Sequence, residues 1–158
     1  MTAPDEIAEQ TPIDEDGDNR ARARQAIEHV CSGRDLSLVP ELYDEGFVDH
    51  VNDMTFEGLA GVRESVGMYR AIFPDLSFEV DEQVSEGDRV ASRWTLHGTY
   101  RGRTVALQGI TISRFAGGRI IEDWGRSDTF SLIRQLGLLR SVALGFAWLT
   151  GRLKAPAL

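Results

Sequence analysis

The stretch SFEVDEQVSEGDRVASRWTLHGTYRGRTVALQGITISRFAGGRIIEDWGRSD, residues 77–128, decides the fold of this chain. Apolar and polar residues alternate along it, and short turn sequences interrupt the alternation, the last of them Gly117-Gly118. Alternation with period two is typical of half-buried strands, and tight glycine turns join antiparallel neighbours. The pattern predicts four strands in an antiparallel meander, over 77–86, 89–99, 103–115 and 119–128.

The segments on either side of the meander have helical periodicity. Apolar residues recur at helical spacing in 20–32 and in 59–73, which Gly33 and Pro74 end. Asp35 is predicted to cap a short helix between them, residues 45–58 are expected to be irregular, and helices are predicted over 129–137 and 138–149. Helices followed by a meander predict an α+β fold, a bent antiparallel sheet with helices on one face.

Charge divides the 158 residues into a tail and one domain. Residues 1–19 carry seven acidic residues and no Lys or Arg, and the rest is nearly neutral. We expect a disordered acidic tail over 1–19, one domain over 20–137 and a helical extension over 138–158. A neutral domain without a basic stripe argues against nucleic acid as a partner. The single cysteine excludes a disulfide scaffold and is typical of a cytoplasmic protein.

The fourth strand carries the strongest candidate site. Counting with period two places five residues on one face: Ile120, Glu122, Trp124, Arg126 and Asp128. An aromatic wall, a cation and two carboxylates on the concave face of a bent sheet would form a pocket. The alternative is a solvated face on which Arg126 pairs with Asp128 or with Glu122.

The apolar segment 138–149 has three interpretations. It is too short to span a bilayer, so stable membrane insertion is not expected. We expect it to pack over the mouth of the domain or to form a subunit interface. The alternative is a helix lying on a membrane surface, where Arg140, Arg152 and Lys154 would meet anionic headgroups.

A series of short motifs runs along the chain in a fixed order: Phe47-Val48-Asp49-His50, Gly58, Phe73-Pro74-Asp75-Leu76, Glu86-Gly87-Asp88-Arg89-Val90, Arg93-Trp94, Gly98-Thr99, Gly117-Gly118-Arg119-Ile120, Trp124, Asp128 and Gln135-Leu136-Gly137. In this order and spacing the motifs resemble the SnoaL-like polyketide cyclases over residues 20–137. The resemblance implies a cone of the nuclear-transport-factor-2 type, in which a strongly bent sheet and helices enclose a deep pocket. It also implies a homodimer formed partly by the outer face of the sheet, to which the segment 138–149 can contribute.

The resemblance also implies an activity and a site. It implies cofactor-free ring closure of an apolar, polyketide-like substrate in antibiotic or other specialised metabolism, without a metal. In the aldol cyclases of the family the aspartate after the Trp is the acid/base, which corresponds to Asp128, and His50 and Arg126 would orient the substrate or stabilise an oxyanion. The substrate-binding residues would be Trp124, Tyr43, Phe47, Tyr69, Phe73, Trp94, Gln108 and Arg114.

Two other functions stay open because the fold does not settle the reaction. An epoxide hydrolase or an ether-forming cyclase would need a second carboxylate as the acid, such as Asp49 or Glu122. A non-catalytic protein would bind an apolar ligand. A second acid in the cavity would favour the epoxide reaction, and a pocket filled by its own aromatic rings would favour the binding protein. Tyr100, where the family usually has His, and a shortened hairpin beside it leave the substrate open.

Overall fold

A computed structural model of the chain describes residues 15–151. Helix α1 (Glu15–Gln25) runs into a π-helical turn (Ala26–Cys31), and a 3₁₀ turn (Leu36–Leu38) runs into α2 (Val39–Leu42). The remaining helices are α3 (Gly58–Ile72), α4 (Thr129–Leu136) and α5 (Leu138–Leu149). The strands are β1 (Tyr43–Val51), β2 (Met54–Glu57), β3 (Ser77–Glu86), β4 (Arg89–Tyr100), β5 (Arg103–Ala116) and β6 (Arg119–Ser127).

The six strands form one curled sheet in the order β2-β1-β6-β5-β4-β3, open at both ends. The pairings of β3 with β4, β4 with β5 and β5 with β6 are the predicted meander. Helices α1 and α3 pack against the sheet on its inner face, the first on β3 and the second on β1. The α+β class and the bent sheet are therefore confirmed, and Asp35 caps the turn that begins at Leu36.

The hairpin of β1 and β2 corrects the expectation that residues 45–58 are irregular. Strand β1 pairs in parallel with β6, so the sheet is mixed rather than wholly antiparallel. This pairing joins residues far apart in the chain, and Gly46 with its polar neighbours gives no local strand signal. The two strands matter because they place Asp49 beside the last strand.

The first helix also begins earlier than predicted. Helix α1 starts at Glu15, so the last residues of the predicted acidic tail are helical. The rest of that tail, residues 1–14, and the end of the extension, residues 152–158, lie outside the described residues. The domain boundaries stay a prediction.

The core consists of two apolar clusters on the inner face of the sheet. The first contains Tyr43 and Phe47, whose rings meet edge to face at 4.8 Å. The second contains Phe73, which packs so closely on Gly98 that a Cβ there would lie 2.7 Å from its ring. Tyr43, Phe47 and Phe73 were predicted to bind substrate, and the structure instead buries all three in the core.

Helix α5 packs against the domain through the side that carries its smaller side chains. Leu144 meets the second cluster, while Leu138 and Leu139 point into solvent. The helix contributes no residue to the pocket lining, so it does not pack over the mouth of the pocket described below. In residues 15–151, no helix combines the length and the apolar character needed to cross a bilayer.

Candidate active site

A β-bulge in β6 decides which side chains enter the interior. Phe115 is opposite Ile120, and Arg114 is opposite Glu122, so Ile121 is an extra residue in the strand. A bulge of one residue reverses the facing of everything that follows it. After the bulge, Asp123, Gly125 and Ser127 line the interior, and the prediction that Trp124 and Asp128 share the concave face with Arg126 is wrong.

Glu122 and Trp124 instead belong to a polar cluster on the outer face. The Glu122 carboxylate lies 3.0 Å from Nε2 of His50 and accepts a hydrogen bond of 2.6 Å from Arg114. These two partners hold the pKa of Glu122 below its usual value, with Arg114 the larger cause. The Trp124 ring stacks on the His50 ring at 5.9 Å. His50, Trp124 and Arg114 therefore lie outside the pocket.

Gln108, which is predicted to bind substrate, also lies outside the pocket. It is exposed on β5, where Leu107 and Gly109 are the residues that alternate inward. Of the predicted site residues, Tyr69, Trp94 and Arg126 line the pocket. The second carboxylate suggested by the sequence, Asp49, lines it as well.

Asp128 is exposed and caps helix α4. Its Oδ1 accepts a hydrogen bond of 2.9 Å from the backbone N–H of Ser131. A carboxylate in this position satisfies one of the free N–H groups of the first turn and interacts well with the helix dipole. The residue that the resemblance assigns as acid/base thus has a structural role that accounts for its identity.

We expect Asp128→Ala to destabilise the fold by about 1 kcal/mol, because an alanine cannot cap the helix. Asp128→Asn should leave stability nearly unchanged, since asparagine caps about as well as aspartate. Chemical denaturation of both variants at neutral pH measures the difference. Equal losses for the two variants would contradict the capping role.

The pocket opens between the two core clusters and contains about 590 Å³ of space, part of which is open solvent. It is lined by Ile27, Cys31, Asp49, Val51, Asn52, Ser65, Val66, Tyr69, Phe78, Trp94, Thr111, Asp123, Gly125, Arg126 and Ser127. The cavity is open and not filled by its own aromatic rings.

Three aromatic side chains form one wall. The Phe78 ring meets Trp94 edge to face at 5.0 Å and Tyr69 at 6.3 Å. Trp94 is fixed further because its indole N–H donates a 2.9 Å hydrogen bond to the Thr111 hydroxyl. The close approach of Trp94 to Gly109 requires a residue without a side chain, since a Cβ there would lie 2.2 Å from the ring. These contacts fix the orientation of the rings, and the wall they form is suited to an apolar ring system.

Two carboxyl groups lie side by side at the floor of the pocket. Asp49 and Asp123 are register partners in the parallel pairing of β1 with β6. Neighbouring strands are about 4.8 Å apart, and register partners point to the same side, so the two carboxyls are adjacent. Oδ1 of Asp123 is buried and has no hydrogen-bond partner among the described residues.

Burial raises the pKa of both groups. Desolvation raises the pKa of Asp49 to about 7, against a smaller opposing effect of His50. Desolvation and then the charge of Asp49 raise the pKa of Asp123 to about 8, while a hydrogen bond from Ser113 lowers it. Near neutral pH the pair therefore holds a proton that it can exchange, with a neutral acid beside a carboxylate.

The mouth of the pocket is polar. Asn52 occupies the turn between β1 and β2 with a φ of 51°, in the left-handed region that asparagine tolerates. Its amide donates to the Ser127 hydroxyl at 3.1 Å and accepts from the Ser127 N–H at 3.2 Å. The Arg126 guanidinium donates to the carbonyls of Gly125 and His50, which hold it at the rim.

The π-helical turn supplies Ile27 and Cys31 to the pocket. The Cys31 sulfur is 4.0 Å from the Tyr43 hydroxyl, and burial together with the charge of Asp123 raises the pKa of the thiol to about 12. Burial also raises the pKa of Tyr69, so both groups are neutral and neither is a thiolate or phenolate. Within residues 15–151, no group of three His, Cys, Asp or Glu side chains is arranged to hold a metal ion.

Fold and site together define a small-molecule pocket protein with paired acids on a curled sheet. A model of the SnoaL-like polyketide cyclase family matches residues 21–136. The match covers most of the chain, and the protein belongs to this family. A comparison with the curated proteins finds no match.

Solved structures of similar proteins include candidate cyclases of this kind. The chain is similar to wild-type IdmH, a candidate polyketide cyclase from Streptomyces antibioticus, at 27% identity and a TM-score of 0.65, covering 77% of this chain and 98% of that one. A candidate polyketide cyclase from Bacillus cereus is 27% identical, with a TM-score of 0.64 and 76% and 78% covered. A candidate SnoaL-like cyclase from Jannaschia sp. is 19% identical, with a TM-score of 0.70 and 80% and 96% covered, and shows the fold alone.

Proposed function

We propose that the protein closes a ring in an apolar, polyketide-like substrate without a cofactor, using the Asp49–Asp123 pair for proton transfer. One observation carries the proposal: two adjacent carboxyls at the floor of an apolar pocket, each with its pKa raised toward neutrality. A general acid and a general base are most effective when their pKa lies near the working pH. Asp128, exposed and engaged at the helix terminus, lacks this environment.

The proposed steps balance with one proton circulating in the pair. The ionised carboxylate removes a proton from a carbon flanked by carbonyls, and the carbanion attacks another carbonyl of the same molecule. A carbon–carbon bond forms, and the neutral carboxyl of the pair protonates the new alkoxide. The wall of Phe78 and Trp94 folds the substrate, so part of the rate comes from orientation. The neutral Tyr69 hydroxyl and Arg126 are the nearby donors for a developing oxyanion.

The test is the product formed after incubation with polyketide esters that carry a second carbonyl. Ring closure gives an isomer with the mass of the substrate and a different chromatographic retention, because the proton taken from carbon ends on the new hydroxyl oxygen. A set of such esters that bind in the pocket and return unchanged would overturn the proposal in favour of a binding protein.

The paired acids also favour a second candidate, an epoxide hydrolase or ether-forming cyclase. There the carboxylate would activate water or a hydroxyl, and the neutral carboxyl would protonate the epoxide oxygen, with Asn52 placed to orient the nucleophile. Hydrolysis adds one water to the product, and oxygen from H₂¹⁸O appears in it. Ring closure of a keto ester adds neither, so one mass spectrum separates it from epoxide hydrolysis. Ether formation also adds no water, and is distinguished because it consumes a hydroxy-epoxide rather than a keto ester.

We also propose a homodimer formed through the outer face of the sheet. That face exposes Ile110 and Ile112 on β5 next to the His50–Trp124 stack. Light scattering at micromolar concentration should give the mass of two chains. Ile110→Glu, which places a charge in the contact, should give the mass of one chain. A wild-type monomer at these concentrations would contradict the dimer.

A further inference from the structure

We propose that helix α5 docks the protein on an anionic lipid surface through its exposed apolar face. This face consists of Leu138, Leu139, Val142 and Leu149, which are 77%, 87%, 62% and 77% exposed. At 3.6 residues per turn, the four side chains project within about 100° of arc. They form one apolar stripe on one side of the helix.

The side of α5 that faces its own domain is not the side that carries its larger apolar residues. The side chains on the opposite arc are Ala143, Leu144 and Ala147, and these are the partly buried ones. A helix that only covered a core would turn its larger apolar residues inward. The larger residues of α5 point outward, so the exposed stripe suits a partner beyond the chain.

The neighbouring helix α4 also exposes large apolar side chains. On α4, Phe130 and Ile133 are 69% and 45% exposed. Trp148 on α5 is 55% exposed, and an amphipathic ring of this kind is typical of the boundary between headgroups and acyl chains. Apolar exposure on this scale is unusual for a surface that faces only water.

Charge identifies the partner. Residues 129–158 contain no Asp or Glu and four basic residues, whereas residues 1–128 contain all 25 acidic residues of the chain. Arg134 and Arg140 are exposed, and neither forms an ion pair within residues 15–151. The basic end would turn α5 toward an anionic surface and the acidic remainder away from it. A symmetric contact with a second copy would instead bring identical basic ends together without an acid to pair with.

Vesicle co-sedimentation of the full chain tests the proposal. We expect binding to vesicles of phosphatidylglycerol and phosphatidylcholine, at least about tenfold weaker binding to phosphatidylcholine alone, and release by high salt. Leu139→Glu, at a residue that is nearly fully exposed, should lose binding by about tenfold or more without loss of thermal stability. Ala116→Glu adds the same charge at the hairpin at the other end of β6, and should bind like the wild type.

Each remaining outcome overturns the proposal. Equal sedimentation of Leu139→Glu and the wild type would mean that α5 is not the docking surface. No lipid binding, with a dimer mass that Leu139→Glu halves, would identify a second copy as the occupant. No binding of the wild type to either kind of vesicle would mean that the stripe does not dock on lipid.

Discussion

Asp123→Asn should lower turnover by roughly 10²–10⁴-fold, the usual contribution of a positioned acid or base. Asparagine has the shape of the neutral carboxyl and can accept the same hydrogen bond from Ser113, but it cannot exchange a proton. Asp49→Asn should cause a loss of the same order, because it removes the other half of the pair. The double variant should lose little more than either single variant, since two groups that act as a unit are not additive.

Asp128→Asn is the matched control, an identical chemical change at a carboxylate that caps a helix. We expect it to retain nearly full turnover. Steady-state rates on a substrate that the wild type converts, together with circular dichroism of each variant, provide the measurement. A fully active Asp123→Asn beside an inactive Asp128→Asn would return the acid/base role to the residue that the family resemblance indicates.

The fold could be predicted largely from local sequence. Strands β3 to β6 alternate with period two and are separated by Gly-containing turns, so their ends fall within a residue or two of the prediction. Strand β1 was not predictable in this way, because it is specified by a parallel pairing with a strand near the end of the domain. Local patterns carry no information on such a partner.

The site could be predicted only in part, for a specific physical reason. The fourth strand was correctly identified as part of the pocket, but the face was not. The extra residue at Ile121 reverses the inward set, so that Asp123 replaces Glu122 and Gly125 replaces Trp124. One sequence feature could have indicated the bulge: Ile120 is followed by Ile121, and two successive apolar residues interrupt strict alternation.

The contribution of Asp123 to the stability of the wild type should decrease as the pH rises from about 4 to about 8. An aspartate in the unfolded chain has a pKa near 3.9, whereas burial raises the pKa of Asp123 in the folded protein to about 8. Between these values the folded state binds more protons than the unfolded state. The free energy of unfolding therefore falls with rising pH, by at most about 1.4 kcal/mol per pH unit for each such proton. The stabilisation is complete below pH 4 and is lost as the pH passes 8.

Burial raises the pKa of Asp49 to about 7, so its ionisation also lowers the free energy of unfolding as the pH rises toward that value. Asp123→Asn removes the proton linkage of one group, so the variant should be more stable than the wild type at pH 8.5 and close to it at pH 4.5. Urea denaturation of both proteins at several pH values gives the difference curve, in which the ionisations they share cancel. A difference that is flat with pH would mean that Asp123 is ionised in the folded protein near neutral pH, and would remove the neutral acid on which the proposed ring closure depends.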